Sequence, residues 1–103
     1  MSVSVLIKDS PARTPRAIEF VELALQAGYR VSQVFFYQAG VQHASGLSAE
    51  RWVKLSSQHG LSLILCSASA DHFGETGDTV FTIGGLGALI EAGLENDKVI
   101  SFG

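Results

Sequence analysis

The sequence predicts an α/β protein of three layers, in which helices cover both faces of a mainly parallel five-stranded sheet. Two observations lead to this fold class. Short β-branched or aromatic runs alternate with longer segments whose apolar residues recur at helical spacing. Glycine or proline stands at several of the boundaries between them. Because 103 residues have room for one core, we expect a single domain over residues 1–103.

The first third of the chain predicts a strand, a helix and a second strand. Val3 to Ile7 is a β-branched run that ends at turn-forming residues. Thr14 can cap a helix, Pro15 suits the first helical position, and Gly28 suits the end of the helix. Tyr29 to Tyr37 is β-branched and aromatic with little polarity, so we expect a buried parallel strand.

The middle of the chain predicts a loop followed by a second helix. The segment from Gln38 to Leu47 is polar and contains two glycines, which is typical of a surface loop. Ser48 is the expected cap of the helix, and Gly60 is its expected end. Leu47 and Trp52 flank the cap at the spacing of a hydrophobic staple.

The last third of the chain completes the predicted sheet. Its elements are a strand from Leu61 to Leu65 that ends in Cys66, a small and polar loop from Ser67 to Asp78, a strand from Thr79 to Ile83, a third helix from Gly84 to Leu94 and a last strand from Lys98 to Phe102. Alternating strands and helices of this kind favour right-handed crossovers between parallel strands.

Composition and charge exclude several classes of function. No apolar run reaches the roughly 18 residues that cross a bilayer, and the N-terminal residues lack the features of a secretion signal. The net charge is −3 and the basic residues are scattered, which disfavours direct binding of RNA or DNA. A single cysteine fits a reducing compartment. We therefore expect a cytoplasmic protein without a membrane segment.

Cys66 is the candidate for chemistry because ligands gather beyond the carboxyl ends of the strands in open α/β sheets. Backbone N–H groups of Ser67, Ala68 and Ser69 can stabilise a thiolate there, and their small side chains leave space for another sulfur. His72 lies in the same predicted loop and is a candidate to tune the thiol. Free cysteine is also among the most buried residue types, so position alone favours a packed thiol over a reactive one.

The sequence matches neither of two common phosphate-binding motifs. Cysteine phosphatases place an arginine after the cysteine and five intervening residues, whereas His72 occupies that position after Cys66. Gly85 and Gly87 begin a dinucleotide-type loop, but Ile90 stands where the third glycine belongs. The remaining chain is too short to provide an acidic ribose partner about 20 residues further on. Neither phosphoryl transfer nor dinucleotide binding is predicted.

The three histidines do not predict a metal site. His43, His59 and His72 are far apart in sequence, and one cysteine offers no paired ligand, so we expect no structural zinc. His59 most simply complements the C-terminus of its helix. His43 follows the second strand and can border the site, but solvent exposure is the simpler expectation.

Four segments, spread over nearly the whole chain, carry a specific resemblance. They are Val34–Val41, Gln58–Cys66, Gly84–Ala92 and Asp97–Phe102. In order and spacing they are similar to the DsrE/TusD family of sulfurtransferases, and most similar to its TusD branch. The Val-Phe-Phe-Tyr strand with a Gly-Val exit and the cysteine at the end of the middle strand are more specific together than alone. The resemblance implies the DsrE-like form of the α/β/α fold.

The resemblance also implies a function for the cysteine. Members of the family pass persulfide sulfur along a relay of cysteines, and Cys66 matches their active cysteine. We therefore expect a sulfurtransferase that accepts sulfur on Cys66, with Ser67, Ala68, Ser69 and His72 around the incoming sulfur. No cofactor is expected.

Partners follow from the same resemblance. The TusD branch works with TusB- and TusC-like subunits in 2-thiouridine formation on tRNA, and the DsrE branch serves sulfur oxidation. Persulfide donor and acceptor proteins are the implied partners, without direct contact to nucleic acid. A small, apolar chain also favours a hetero- or homo-oligomer. The alternative is a non-catalytic interaction or binding subunit of the same fold, in which Cys66 only packs.

Overall fold

The computed structural model describes residues 2–77, 80–85, 87 and 98–102. Its elements are, in chain order, β1 (Ser2–Ile7), α1 (Ala17–Gln26), β2 (Arg30–Phe36), a 3₁₀ helix (Gln38–Ala44), α2 (Gly46–His59), β3 (Ser62–Cys66), α3 (Ser67–Phe73), β4 (Phe81–Gly84) and β5 (Lys98–Phe102). Each of the five predicted strands is present, with ends that differ by at most two residues where they are described.

The five strands form one parallel sheet in the order β4-β3-β2-β1-β5. The predicted α/β fold with a parallel five-stranded sheet is thereby confirmed. β3 lies between β2 and β4, and Cys66 at its carboxyl end pairs with Gly84 of β4. The thiol therefore lies at the edge of the sheet where the carboxyl ends of the strands meet.

The hydrophobic core occupies one face of the sheet. Alternate residues of the central strands contribute to it, as Val34 and Phe36 of β2 do, and all are nearly inaccessible to solvent. Trp52 of α2 and Ala70 of α3 belong to the same cluster, together with three buried residues of α1. α1, α2 and α3 thus pack on this face. The predicted third helix, Gly84–Leu94, lies outside the described residues apart from its first positions.

The starts of the first two helices differ from the prediction. α1 begins at Ala17 rather than after Thr14, because the Thr14 hydroxyl bonds to the Asp9 and Ser10 carbonyls and holds a preceding turn. α2 begins at Gly46, ahead of the expected cap Ser48. Leu47 is 80% exposed, so the predicted staple does not form.

Two predicted loops are helical. The segment after β2 forms the 3₁₀ helix Gln38–Ala44, and the segment after Cys66 forms α3. In the 3₁₀ helix, the Gly40 N–H bonds to the Lys8 and Tyr37 carbonyls at 2.8 and 2.9 Å. The chain turns tightly across the end of β1 at this glycine. Short helices of one or two turns carry little periodic signal, which is why the sequence pattern missed both.

Candidate active site

Cys66 occupies the junction between β3 and α3. It is the last residue of the strand and the N-cap of the helix, with φ −61° and ψ 125°. Its side chain is half-buried. The helix begins directly at Ser67, so the backbone N–H groups of its first turn have no partners within the helix. These groups lie next to the sulfur because the strand leads into the helix without a loop.

The surroundings of Cys66 favour the thiolate. Burial raises the pKa of the Cys66 thiol, but three hydrogen bonds together outweigh it. They come from the side chain of Ser69 and from the backbone N–H groups of Ser69 and Ala68. The net effect is a pKa below that of an ordinary cysteine, and a larger fraction of the nucleophilic form at neutral pH.

Ser69 also contacts the segment after β2. The backbone N–H of Gln38 donates to the Ser69 Oγ at 2.7 Å. Gln38 is the first residue of the 3₁₀ helix and has a φ of +50°. The residue type of Gln38 gives no signal for this contact, because the donor is a backbone group that any amino acid except proline would offer.

An open cavity of about 370 Å³ lies over α3, the helix that follows Cys66, although Cys66 itself does not line it. Ala68, Ser69, His72 and Phe73 of α3 line it, and Gln38 lines the opposite side. Three of the four residues expected around the incoming sulfur therefore share one cavity. Ser67, the fourth, is exposed but does not line it.

His72 does not tune the thiol as the sequence suggested. Its side chain is exposed, and its ring packs edge-on against Phe73 at 5.0 Å between centroids. The hydrogen bonds that lower the pKa of Cys66 come from Ser69 and Ala68 instead. A helical turn accounts for the difference, since α3 brings the third residue after its N-cap back over the cap, while the sixth turns away.

His43 is buried rather than solvent-exposed, which corrects the expectation. Its Nδ1 accepts a hydrogen bond from the Trp52 indole at 3.2 Å, and its Nε2 lies 3.2 Å from the Asp9 carbonyl and 3.1 Å from the Thr14 hydroxyl. The proton is therefore assigned to Nε2, which donates to the Asp9 carbonyl. Burial lowers the pKa of His43, only partly opposed by that bond, and the ring is neutral in the core.

The described part of the chain holds no cluster of three or more potential metal ligands. Another cavity, of about 300 Å³, lies between α1 and α2 and is lined by charged and polar groups such as Glu22, Arg51 and Lys54. No cysteine lines it, so the group with nucleophilic chemistry remains Cys66. In the same described residues, no helix is both long and apolar enough to cross a membrane.

Comparison with known proteins identifies the family of this chain. The sequence model of the DsrE/DsrF-like family matches residues 1–102. The chain belongs to this family. Two similar curated proteins are the sulfurtransferase TusD of Serratia proteamaculans, 34% identical over 84% of each chain, and that of Salmonella arizonae, 35% identical over 84% of this chain and 85% of the relative.

A solved structure has the same fold as this chain. The crystal structure of the ychN protein from E. coli superposes with a TM-score of 0.81 over 99% of both chains, at 16% sequence identity. At that identity the likeness concerns the fold alone. The predicted family and fold class are confirmed, and the names of the relatives confirm the predicted class of activity, a sulfurtransferase.

Proposed function

We propose that Cys66 is the sulfur-carrying nucleophile of this sulfurtransferase. It accepts the outer sulfur of a donor persulfide and passes it to the cysteine of an acceptor protein. The observation that carries the proposal is the place of Cys66 at the carboxyl end of β3 and the N-cap of α3, where donors from Ser69 and Ala68 lower the pKa of the thiol despite its partial burial. Membership of the DsrE/DsrF-like family supports the choice of sulfur as the transferred group.

The reaction consists of two nucleophilic displacements at sulfur. In the first, the Cys66 thiolate attacks the outer sulfur of the donor persulfide, a new S–S bond forms at Cys66, and the donor leaves as a thiolate with the electron pair of the broken S–S bond. In the second, an acceptor thiolate attacks the outer sulfur on Cys66, and Cys66 leaves as a thiolate. No external oxidant or reductant is consumed.

The same hydrogen bonds assist both steps. In the first they enlarge the thiolate fraction, and in the second they stabilise Cys66 as a leaving group, since a thiol of lower pKa leaves faster. Ser67, Ala68, Ser69 and His72 are the proposed surroundings of the transferred sulfur. Ala68, Ser69 and His72 line an open cavity of about 370 Å³, which has room for the side chain of a partner cysteine near the start of α3.

We further propose that the relay serves 2-thiouridine formation on tRNA in the cytoplasm, together with TusB- and TusC-like subunits. The acidic net charge of −3 fits a carrier between proteins, with the tRNA bound by a later partner. Sulfur oxidation is the competing setting. Co-purification decides between them, because the two settings predict different companion subunits.

Intact mass tests the carrier role directly. The purified protein is incubated with a low-molecular-weight persulfide donor, freed of excess donor and weighed, with Cys66→Ser as the matched control. We expect the mass of one added sulfur atom on the parent and none on the variant, and loss of that mass on addition of an acceptor thiol. A parent protein that gains no sulfur overturns the carrier role and leaves the non-catalytic subunit of the same fold.

A further inference from the structure

Gln38, the first residue of the 3₁₀ helix, has an unusual backbone conformation. Among the described residues it is the one non-glycine residue with positive φ, at +50°. It lies immediately beyond Tyr37, where β2 has ended and the 3₁₀ helix begins. Residues other than glycine adopt this region at a cost, and such strain persists where surrounding contacts determine it.

The contacts on either side of Gln38 are fixed by the neighbouring strand. Before it, the Tyr37 N–H donates to the Ile7 carbonyl at 3.0 Å. After it, the Gly40 N–H donates to the Lys8 carbonyl at 2.8 Å, with no room at Gly40 for a side chain. The peptide between Tyr37 and Gln38 is thus held between two attachments to the end of β1.

The result is an N–H group that faces α3. The Gln38 N–H donates to the Ser69 Oγ at 2.7 Å, a short distance for an N–H···O bond. A serine hydroxyl has one proton to donate and two lone pairs to accept with. Because Gln38 occupies a lone pair and fixes the position of the oxygen, the hydroxyl proton remains for the Cys66 sulfur. Hydrogen bonds in such a chain also polarise one another.

We propose that Gln38 and Ser69 form a positioning pair for Cys66, in which the backbone N–H of Gln38 fixes the Ser69 hydroxyl so that it donates to the sulfur. The inference rests on the proposed function for its biological meaning, since a positioned thiolate serves sulfur transfer. It goes beyond that function by assigning a role to the left-handed backbone of Gln38. The segment after β2 thereby becomes part of the reactive site through the backbone N–H of Gln38.

Charged side chains are not among the causes that lower the pKa of Cys66. The titratable side chains on α3 are Asp71 and His72, and Glu75 follows the helix, with its carboxylate 3.3 Å from the Ser45 hydroxyl. On the 3₁₀ helix, the titratable group is His43, which is bound to Trp52 in the core. The described residues of β3 and β4 carry no charged side chains, Cys66 apart. The donors at Cys66 are Ser69 and Ala68.

Four variants in two matched pairs test the inference. Ser69→Ala removes the hydroxyl, whereas Ser69→Thr retains one. Gln38→Val places a β-branched residue where left-handed φ is strongly disfavoured, whereas Gln38→Gly retains the N–H and adopts that φ freely. The rate of Cys66 alkylation by iodoacetamide is followed from pH 5 to 10 on each protein, and circular dichroism shows which variants are folded.

We expect the midpoint of the alkylation profile to rise for Ser69→Ala and Gln38→Val, and the rate at pH 7 to fall about threefold or more, as for loss of a hydrogen bond to a charged group. Ser69→Thr and Gln38→Gly should retain the parental midpoint. An unchanged midpoint in folded Ser69→Ala overturns the inference, and so do equal shifts within each pair. If Gln38→Val fails to fold, Gln38→Ala takes its place, since alanine also disfavours the left-handed φ but is not β-branched.

The sulfur-loading experiment is run on the same samples, so that the two hypotheses fail separately. A parent protein that takes up no sulfur, yet shows the expected alkylation pattern, refutes the carrier role and leaves the positioning pair intact. A parent protein that takes up sulfur, with identical profiles for Ser69→Ala and the parent, refutes the positioning pair and leaves the carrier role intact.

Discussion

The structure predicts that Gly40→Ala strongly destabilises the fold. The sequence places Gly40 in what resembles a polar loop, where alanine is usually harmless. In the fold, Gly40 is buried against the end of β1. An added Cβ would overlap the Ile7 carbonyl oxygen, and it would lie 2.8 Å from the Ile7 carbonyl carbon and 3.3 Å from that of Lys8. These are backbone atoms at and just beyond the end of β1, and they cannot turn aside as a flexible side chain does.

Two costs add at this position. Relief of the overlap requires a shift of the 3₁₀ helix or of β1, and overpacking of this kind costs about 1–3 kcal/mol. The shift also separates the Gly40 N–H from the Lys8 and Tyr37 carbonyls, and a buried donor without a partner costs about 1–3 kcal/mol. The free energy of unfolding should therefore fall by about 2–6 kcal/mol, out of a typical total of about 5–15 kcal/mol.

Urea and thermal unfolding measure this loss. For a domain of this size, about 2 kcal/mol corresponds to a fall in Tm of about 8 °C or more. Gly85→Ala is the control for a neutral change, because its added Cβ meets no atom within 4 Å. Gly60→Ala is the control for strain without overlap, since Gly60 has a φ of +69° and open space around it. A Tm for Gly40→Ala within about 3 °C of the parent would falsify the close approach that we describe.

Three further predictions concern the thiol and the buried histidine. The alkylation of Cys66 should have a lower pH midpoint in the folded protein than in urea, because the donors at the sulfur exist only in the fold; coincident midpoints would contradict this. Since burial lowers the pKa of His43, the unfolded chain binds its proton first as pH falls below about 6.5, and stability is lost from there down to the folded pKa. Urea unfolding of the parent and His43→Gln should show a steeper loss in the parent, by at most about 1.4 kcal/mol per pH unit, and parallel curves would refute the assignment. Trp52→Phe should cost at least about 1 kcal/mol, because the His43 Nδ1 loses its donor, and an unchanged urea midpoint would exclude that bond.

The main elements of the fold could be predicted because they leave strong local signals. The β-branched and aromatic run before Tyr37 predicted a buried strand, and β2 contains three consecutive buried residues from Val34 to Phe36. Gly60 predicted the end of α2, and it has the left-handed conformation of a helix C-terminus. The start of α1 was missed because other contacts occupy the expected capping group. Thr14 bonds to the chain before it and to His43.

The site was predictable only in part for a similar reason. The pattern of strands placed Cys66 at the carboxyl edge of the sheet, and the family resemblance supplied its chemistry. The identity of the tuning group depended on whether Ser67 to Phe73 is a loop or a helix, because a helix brings Ser69 rather than His72 to the sulfur. Gln38 acts through its backbone N–H, so its role cannot be predicted from the type of its side chain. The burial of His43 could not be predicted from the sequence, because it depends on the packing of Trp52 and Phe36 around the ring.

The half-buried position of Cys66 suits both steps of the proposed sulfur relay. Full burial would raise the pKa of the thiol further and would block the approach of a partner cysteine. Full exposure would leave the sulfur without fixed donors, and water would replace Ser69 and Ala68. The N-cap of α3 meets both demands, because it presents backbone N–H groups to one side of the sulfur and leaves the other side accessible. Deeper burial of the sulfur should therefore slow sulfur transfer even if every hydrogen bond to it is retained.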